Sequence, residues 1–277
     1  MSEPGSGVID PGTPHGDVPD GFIAAEMGEE IIDSLRRVRR VEEALVRARH
    51  PGEGLRERKR RLTRHLISDT ATAMFASRGF DAVKVTEIAD RANISMKTLY
   101  NYFPTKESMV FDDADELIED VTAALRDRPD EMPVTDAFVG ALQANMYGYD
   151  LLDDELAASV ATTFAAIVRQ TPALHAHWLE IQDRIARAAA DQLALQAGTE
   201  PTDPRAALAG WALAGLVQVD MDSRVRHIRA GRRGVQLRQA VAGDVRQAAK
   251  LLETGLASLP RRTRADASNG SSLGMAT

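Results

Sequence analysis

The segment from Thr86 to Glu107, TEIADRANISMKTLYNYFPTKE, leaves little freedom in how this chain can fold. Two short helical runs are separated by a turn at Asn93 and closed by Pro104. Thr86 stands where it can cap the first run, and Glu87 falls where the positive end of a helix dipole favours a carboxylate. Ile88, Ala89 and Ala92 share the inward face. Asn93 occupies the turn, where a positive φ is commonly required and asparagine is the best choice after glycine. Ser95 caps the second run, with Leu99 and Phe103 as its inward anchors. Thr105 is then expected to cap a long helix.

The second run also carries Lys97, Thr98, Tyr100, Asn101 and Tyr102. A helix with that outward chemistry, held on a tight helix-turn-helix frame, suits the major groove of DNA. The competing reading packs the tyrosines against the protein and leaves Lys97 as a solvated charge. Leu99 and Phe103 already fill the inward positions, so tyrosines one residue to either side must point elsewhere, which favours the groove.

The formal charge of −7 looks unsuited to nucleic acid until it is resolved along the chain. Leu55 to Lys106 holds 11 Lys/Arg against 5 Asp/Glu, a local +6, and the remainder carries −13. A basic module on an acidic body concentrates attraction for phosphate in one place. Of the basic run before the motif, Arg58, Lys59, Arg60, Arg61 and Arg64 are either a solvated helix face or, for one or two of them, phosphate or minor-groove contacts; Arg60 and Arg61 are taken as the candidates.

An apolar share of 44% with only 5% aromatic favours alanine- and leucine-rich helices, and the expected fold class is all-α. The chain contains no cysteine, so disulfides, thiolate metal sites and cysteine nucleophiles are excluded. No secretory signal is visible at the N-terminus, and the longest uncharged run, Ala206 to Val219, is shorter than the roughly 20 residues needed to span a bilayer. A cytoplasmic protein is expected.

Proline, glycine and aspartate punctuate the chain into helices near 56–78, 106–128, 134–149, 153–170, 173–197, 204–229 and 236–257, with Gly79 closing the first. The buried stripe of that first helix is expected at Leu66, Ile67, Ala71 and Met74. Residues 1–54 form an extension, disordered to about 24 and then able to make an amphipathic helix over 24–50 through Ile31, Leu35, Val38 and Leu45. The domain boundaries follow: a DNA-binding domain over 55–106, a helical ligand-binding and dimerisation domain over 107–260, and a disordered tail over 261–277.

The run RANISMKTLYNYFPTKE, and LYNYFPTKE above all, resembles the helix-turn-helix signature of TetR-type (TetR/AcrR) transcriptional regulators, over Leu62 to about Asp113. The resemblance implies a homodimer joined through its last two helices, a double-stranded DNA operator and a ligand cavity in the body. It implies that Thr86 and Ser95 donate to phosphates, that Met96, Lys97 and Thr98 read base edges, that Tyr100, Asn101 and Tyr102 lie along the groove wall, and that Lys106 pairs with a phosphate. Asn93 stands where glycine is most frequent in such proteins, and Lys97 where a small residue is common.

No Walker or dinucleotide loop, HExxH or GxSxG occurs, so no catalytic residue or cofactor is assigned. His175, His177 and Glu180 share a helix but lack an evident third strong ligand, so no metal is assigned either. Phe138, Met146, Tyr147, Phe164, Trp178 and Trp211 are the bulky residues most able to line a cavity, although each taken singly is more naturally a core residue than a ligand contact. Gly210 and Gly215 would permit close helix approach in the all-apolar stretch around Trp211. The expected function is a ligand-responsive repressor on a pseudo-palindromic operator, with a small apolar or amphipathic effector that tilts the long helix begun at Thr105. The alternative is a helical ligand-binding or scaffold protein acting through its N-terminal helix.

Overall fold

A computed structural model of the chain describes residues 32–33, 54–144 and 155–255, without the side chains of 156 and 157. Among these residues all regular structure is helical: α1 Leu55–Arg78, α2 Val85–Arg91, α3 Met96–Tyr102, a 3-10 turn Glu107–Met109, α4 Ala114–Arg126, α5 Val134–Ala144, α6 Glu155–Gln170, α7 Pro172–Ala197, α8 Pro204–Arg229 and α9 Gly234–Thr254. The fold is all-α, as expected. The disordered stretches expected over 1–24 and 261–277, and the end of the helix expected over 134–149, lie outside the described residues. Of the helix expected over 24–50 only Ile32 and Asp33 are described; both are helical and Ile32 is buried. No described helix is long and apolar enough to cross a membrane.

The chain divides into two compact units. The first takes residues up to Asp112 together with Ser159–Leu174; the second takes Asp113–Ala158 and everything from His175.

In the first unit α1 is the central helix. Gly79 ends it with φ 81, its N–H donating to the Phe75 carbonyl at 2.9 Å, a conformation open to glycine at little cost. The expected stripe is corrected at one position: Leu66 is 37% exposed, whereas Ile67, Ala71 and Met74 are buried along with His65, Ser68, Asp69 and Thr70. A helix enclosed on most sides buries short polar residues too: the Ser68 hydroxyl reaches the Met109 carbonyl, and that of Thr70 bonds back to the Leu66 carbonyl of its own helix. Phe75 and Phe80 meet at 4.9 Å between ring centres, and Ile88, Leu99, Phe103 and Met109 are fully buried, each burial stabilising the unit by about 1.5–3 kcal/mol.

The long helix expected from 106 to 128 is broken. Thr105 does cap, exchanging hydrogen bonds with Ser108 (Ser108 N–H to Thr105 Oγ1, 3.1 Å), but what it caps is the 3-10 turn Glu107–Met109. Side chains of α1 capture the carbonyls beyond: the Ser68 hydroxyl donates to Met109 at 2.9 Å and Arg64 Nε to Asp112 at 3.2 Å. The consecutive aspartates at 112 and 113 favour a new start over continuation, and α4 begins after Asp113 with Asp115 and Glu116 in its first turn.

In the second unit Val121, Leu125, Phe138, Ile181, Ile185, Leu213, Ala214, Leu237 and Val241 supply the core. Helices α8 and α9 pack along one another, joined by a turn in which Gly231 adopts φ 79 and the N–H groups of Gly231 and Arg232 close on the carbonyls of Ile228 and His227, a Schellman motif. Gly210 behaves as expected: a Cβ there would lie 2.2 Å from the Ala186 carbonyl oxygen and 3.0 Å from the Ala190 Cβ, so α7 and α8 cross where only glycine fits. At Gly215 a Cβ would meet nothing within 4 Å of the single chain. Its face of α8 is the outward one, where Leu208 is 72% and Trp211 51% exposed.

Candidate nucleic-acid interface

The turn between α2 and α3 is set by one residue. Asn93 has φ 54, the only positive φ outside glycine among the described residues. Its N–H donates to the Asp90 carbonyl at 3.1 Å and that of Ile94 to the Ala89 carbonyl at 3.0 Å, which closes α2 in a Schellman motif. The left-handed conformation costs a typical side chain about 1–2 kcal/mol, least for asparagine.

Helix α2 starts two residues earlier than its sequence suggests. Lys84 is its N-cap, and Thr86 lies exposed in the first turn. The cap is made by Glu87, whose Oε2 accepts the Lys84 backbone N–H at 2.8 Å while Oε1 accepts from Arg78 at 2.9 Å. The Lys84 N–H, followed by the Arg78 guanidinium, holds the Glu87 carboxyl below its ordinary pKa. Ser95 caps α3 as expected, with its Oγ accepting the Thr98 N–H at 3.1 Å.

On α3, Leu99 and the adjoining Phe103 are fully buried, while Lys97, Tyr100 and Asn101 are exposed, Tyr100 by half. Met96, Thr98 and Tyr102 are half-buried. The side chains of Lys97, Tyr100 and Asn101 enter no hydrogen bond among the described residues, so their polar groups are available to an external partner. On α1, Arg60 is exposed and Arg61 half-buried.

Lys106 is more deeply engaged than its place in the motif suggests. Its Nζ donates to the Phe80 carbonyl and stands 4.2 Å from the Phe80 ring centre and 5.4 Å from that of Phe75. Partial burial pushes the ammonium below the ordinary lysine pKa, against the opposing pull of Asp81, Glu107 and Glu87. An ammonium has three donors, so the bond to Phe80 leaves two. Arg64 is a cation whose role sequence reading did not separate from its neighbours: Nη1 donates to the Tyr102 carbonyl at 2.8 Å. Its partners lie dozens of residues away, so local pattern carried no signal of them.

The bulky residues considered for a cavity are distributed. Phe138 and Trp178 are buried in the second unit, the Trp178 indole donating to Gln218 Oε1 at 2.9 Å. Phe164 belongs to the first unit, edge-on to Phe111 at 6.1 Å, and Trp211 is on an exposed face. Met146 and Tyr147 lie outside the described residues. His177 pairs with Glu180 (Nδ1 to Oε2, 3.2 Å), and His175 is exposed. A polar depression of about 460 Å³, lined by His227, Arg232, Gln236, Gln239, Ala240 and Asp244, occupies the α8–α9 turn and uses none of the expected cavity residues.

Residues 67–112, which hold the whole helix-turn-helix, match the family described as bacterial regulatory proteins, tetR family. Over 166 residues, 60% of this chain and 81% of the relative, the sequence is 26% identical to a Mycobacterium tuberculosis (strain ATCC 25618 / H37Rv) protein assigned as the mycofactocin biosynthesis transcriptional regulator MftR. It is 30% identical over 143 residues to the HTH-type transcriptional regulator TcmR of Streptomyces glaucescens, spanning 49% of this chain and 62% of that one. A 54-residue stretch is 41% identical to the HTH-type transcriptional repressor KstR of the same M. tuberculosis strain, covering 20% of this chain and 22% of that one. The head over residues 67–112 is thus that of bacterial regulatory proteins of the tetR family, and the relatives that share it are named as transcriptional regulators.

Proposed function

We propose that this chain is a cytoplasmic, homodimeric repressor that grips a pseudo-palindromic operator and releases it when a small apolar or amphipathic effector binds the second unit. The observation that carries the reading is the outward face of α3, where Lys97, Tyr100 and Asn101 stand unbonded on a helix anchored by Leu99 and Phe103. In this reading Met96, Lys97 and Thr98 meet base edges in the major groove, and Tyr100, Asn101 and Tyr102 follow its wall. Thr86 and Ser95 donate hydroxyl hydrogen bonds to phosphates, Lys106 offers a phosphate the donors not used by Phe80, and Arg60 and Arg61 add backbone attraction.

Dimerisation is supported by the apolar stripe of α8, where Leu208 and Trp211 lie exposed in a single chain and Gly215 leaves room for a close partner helix. Repression is supported by the relative named as a repressor, KstR. The domain reading of a DNA-binding segment over 55–106 followed by a ligand-binding and dimerising segment is retained. With the helix broken at 110–113, the effector's influence on the heads would run through the short helix from Ala114 rather than through one long helix from Thr105.

Mobility-shift titration on the DNA upstream of its own coding sequence tests the reading. Tyr100→Ala and Lys106→Ala are expected each to weaken binding by about tenfold or more, the scale of one or two lost contacts. Wild-type affinity in both variants would sink it.

A further inference from the structure

Arg64 lies in the basic front half of α1, among arginines and a lysine that look alike in sequence. Its guanidinium is spent inside the head. Nη1 donates to the Tyr102 carbonyl at 2.8 Å, Nε to the Asp112 carbonyl at 3.2 Å, and Cζ stands 4.4 Å over the Phe103 ring. Tyr102 is the last residue of α3, and its carbonyl is one of those a helix C-terminus leaves without an intrahelical partner. Helix α3 has seven residues and no basic side chain in its own last turn. So short a helix is held by its surroundings rather than by its own propensity. Arg64 supplies from α1 the cation that the negative end of α3 lacks, while the ring it covers is the fully buried anchor just beyond that end.

We propose that Arg64 is a positioning residue for DNA recognition: it brackets the C-terminal end of α3 against α1 and so fixes the orientation in which Lys97, Tyr100 and Asn101 are presented. It does this with a planar fork that reaches two carbonyls and stacks on a ring at once, which lysine cannot reproduce. The inference rests on the DNA-reading role of α3, and it separates Arg64 from the neighbouring cations, whose action is on phosphate.

The experiment uses the full chain, wild type and Arg64→Lys, with two duplexes of equal length: a genomic fragment recovered by the wild-type protein, and a random sequence. Arg64→Lys keeps the charge and loses the fork. It is expected to lose about tenfold on the recovered fragment, the scale of one misplaced base contact, with unchanged affinity for the random duplex and an unchanged salt slope. Amide exchange at residues 99–103 should quicken. An equal loss on both duplexes, with a slope reduced by about one phosphate contact, would overturn the proposal in favour of a direct backbone contact. Wild-type selectivity together with wild-type exchange would also overturn it. Should Arg64→Lys fail to fold by circular dichroism, Arg64→Gln takes its place, and a folded glutamine variant with wild-type selectivity and exchange overturns the proposal equally. If the wild-type chain recovers no fragment, the DNA reading itself fails, while the exchange arm still decides whether Arg64 holds α3.

Discussion

The two units dispose of their positive charge in different ways. In the second unit arginines lie against carboxylates: Arg184 on Asp115, Arg205 on Asp203, Arg224 on Asp220, Arg226 on Asp244 and Arg233 on Glu155, all at 2.5–2.8 Å. In the first unit Arg78 also meets a carboxylate, Glu87, but Arg64 and Lys106 are held by uncharged carbonyls and aromatic rings. A carboxylate partner cancels the field of a cation; a carbonyl fixes the side chain and leaves its charge standing. The head can therefore be rigid and remain strongly positive, which a surface that must attract phosphate requires.

The largest expected break between the units is in their response to salt. If the dimer neutralises about six phosphates, raising salt from about 50 to about 200 mM should cut DNA affinity about 10³-fold. Over the same range the melting of the second unit should hardly move, because exposed ion pairs contribute only about 0–1 kcal/mol each. Titration by fluorescence anisotropy and calorimetry of the free protein measure the two. A shallow DNA slope would mean that the head's charges are as neutralised as the body's.

A smaller effect is expected from Asp244, where three side chains converge. Its Oδ2 accepts from Ser223, from Arg226 at 2.5 Å and from His227 Nε2 at 2.7 Å. Arginine cannot accept, so His227 Nδ1 must take the Arg232 hydrogen bond and Nε2 must carry the ring proton. Partial burial works against the charged carboxylate, but these donors outweigh it and hold Asp244 below its ordinary pKa. Asp244→Ala should cost the second unit about 1–3 kcal/mol by leaving the donors unmatched, read as a lower melting temperature, while the DNA salt slope stays at the wild-type value.

The smallest effect is acid sensitivity at Asp203, the N-cap of α8, which accepts the Arg205 N–H at 2.8 Å. The Arg205 side chain, then its backbone N–H, lower this carboxyl to about 2. A depressed carboxylate contributes stability above its unfolded pKa of about 3.9, and that contribution is lost as pH falls through the folded value. Exchange of the Arg205 amide should therefore quicken between about pH 4 and pH 2 beyond its intrinsic pH dependence. An unchanged protection factor down to pH 2 would show that the cap does not depend on the charge.

Much of the helix pattern was legible because its punctuation is local. Gly79, Asn93, Ser95 and the Gly231/Gly234 pair act through their own φ angles or through residues a few positions away, and those signals lie in the sequence order. The failures share the opposite property. The break at 110–113 depends on Arg64 and Ser68, more than forty positions earlier, capturing the Asp112 and Met109 carbonyls. Trp211 looks like core by composition, yet stands half exposed because α8 has one face packed and one open. Of the interface residues, sequence order revealed which side of α3 is free; it did not reveal that Lys106 and Arg64 are tied down by the head itself.

The division of labour on α3 has an evolutionary consequence. Leu99 and Phe103 hold the helix in the core, Ser95 starts it and Arg64 closes it, while Lys97, Tyr100 and Asn101 bear none of that duty. The residues that would choose a DNA sequence can be exchanged without disturbing those that make the helix. A chain built this way can acquire a new surface chemistry on α3 by a few substitutions, each roughly neutral to folding, so that a duplicated gene can change what this helix would recognise long before it changes the body that carries it.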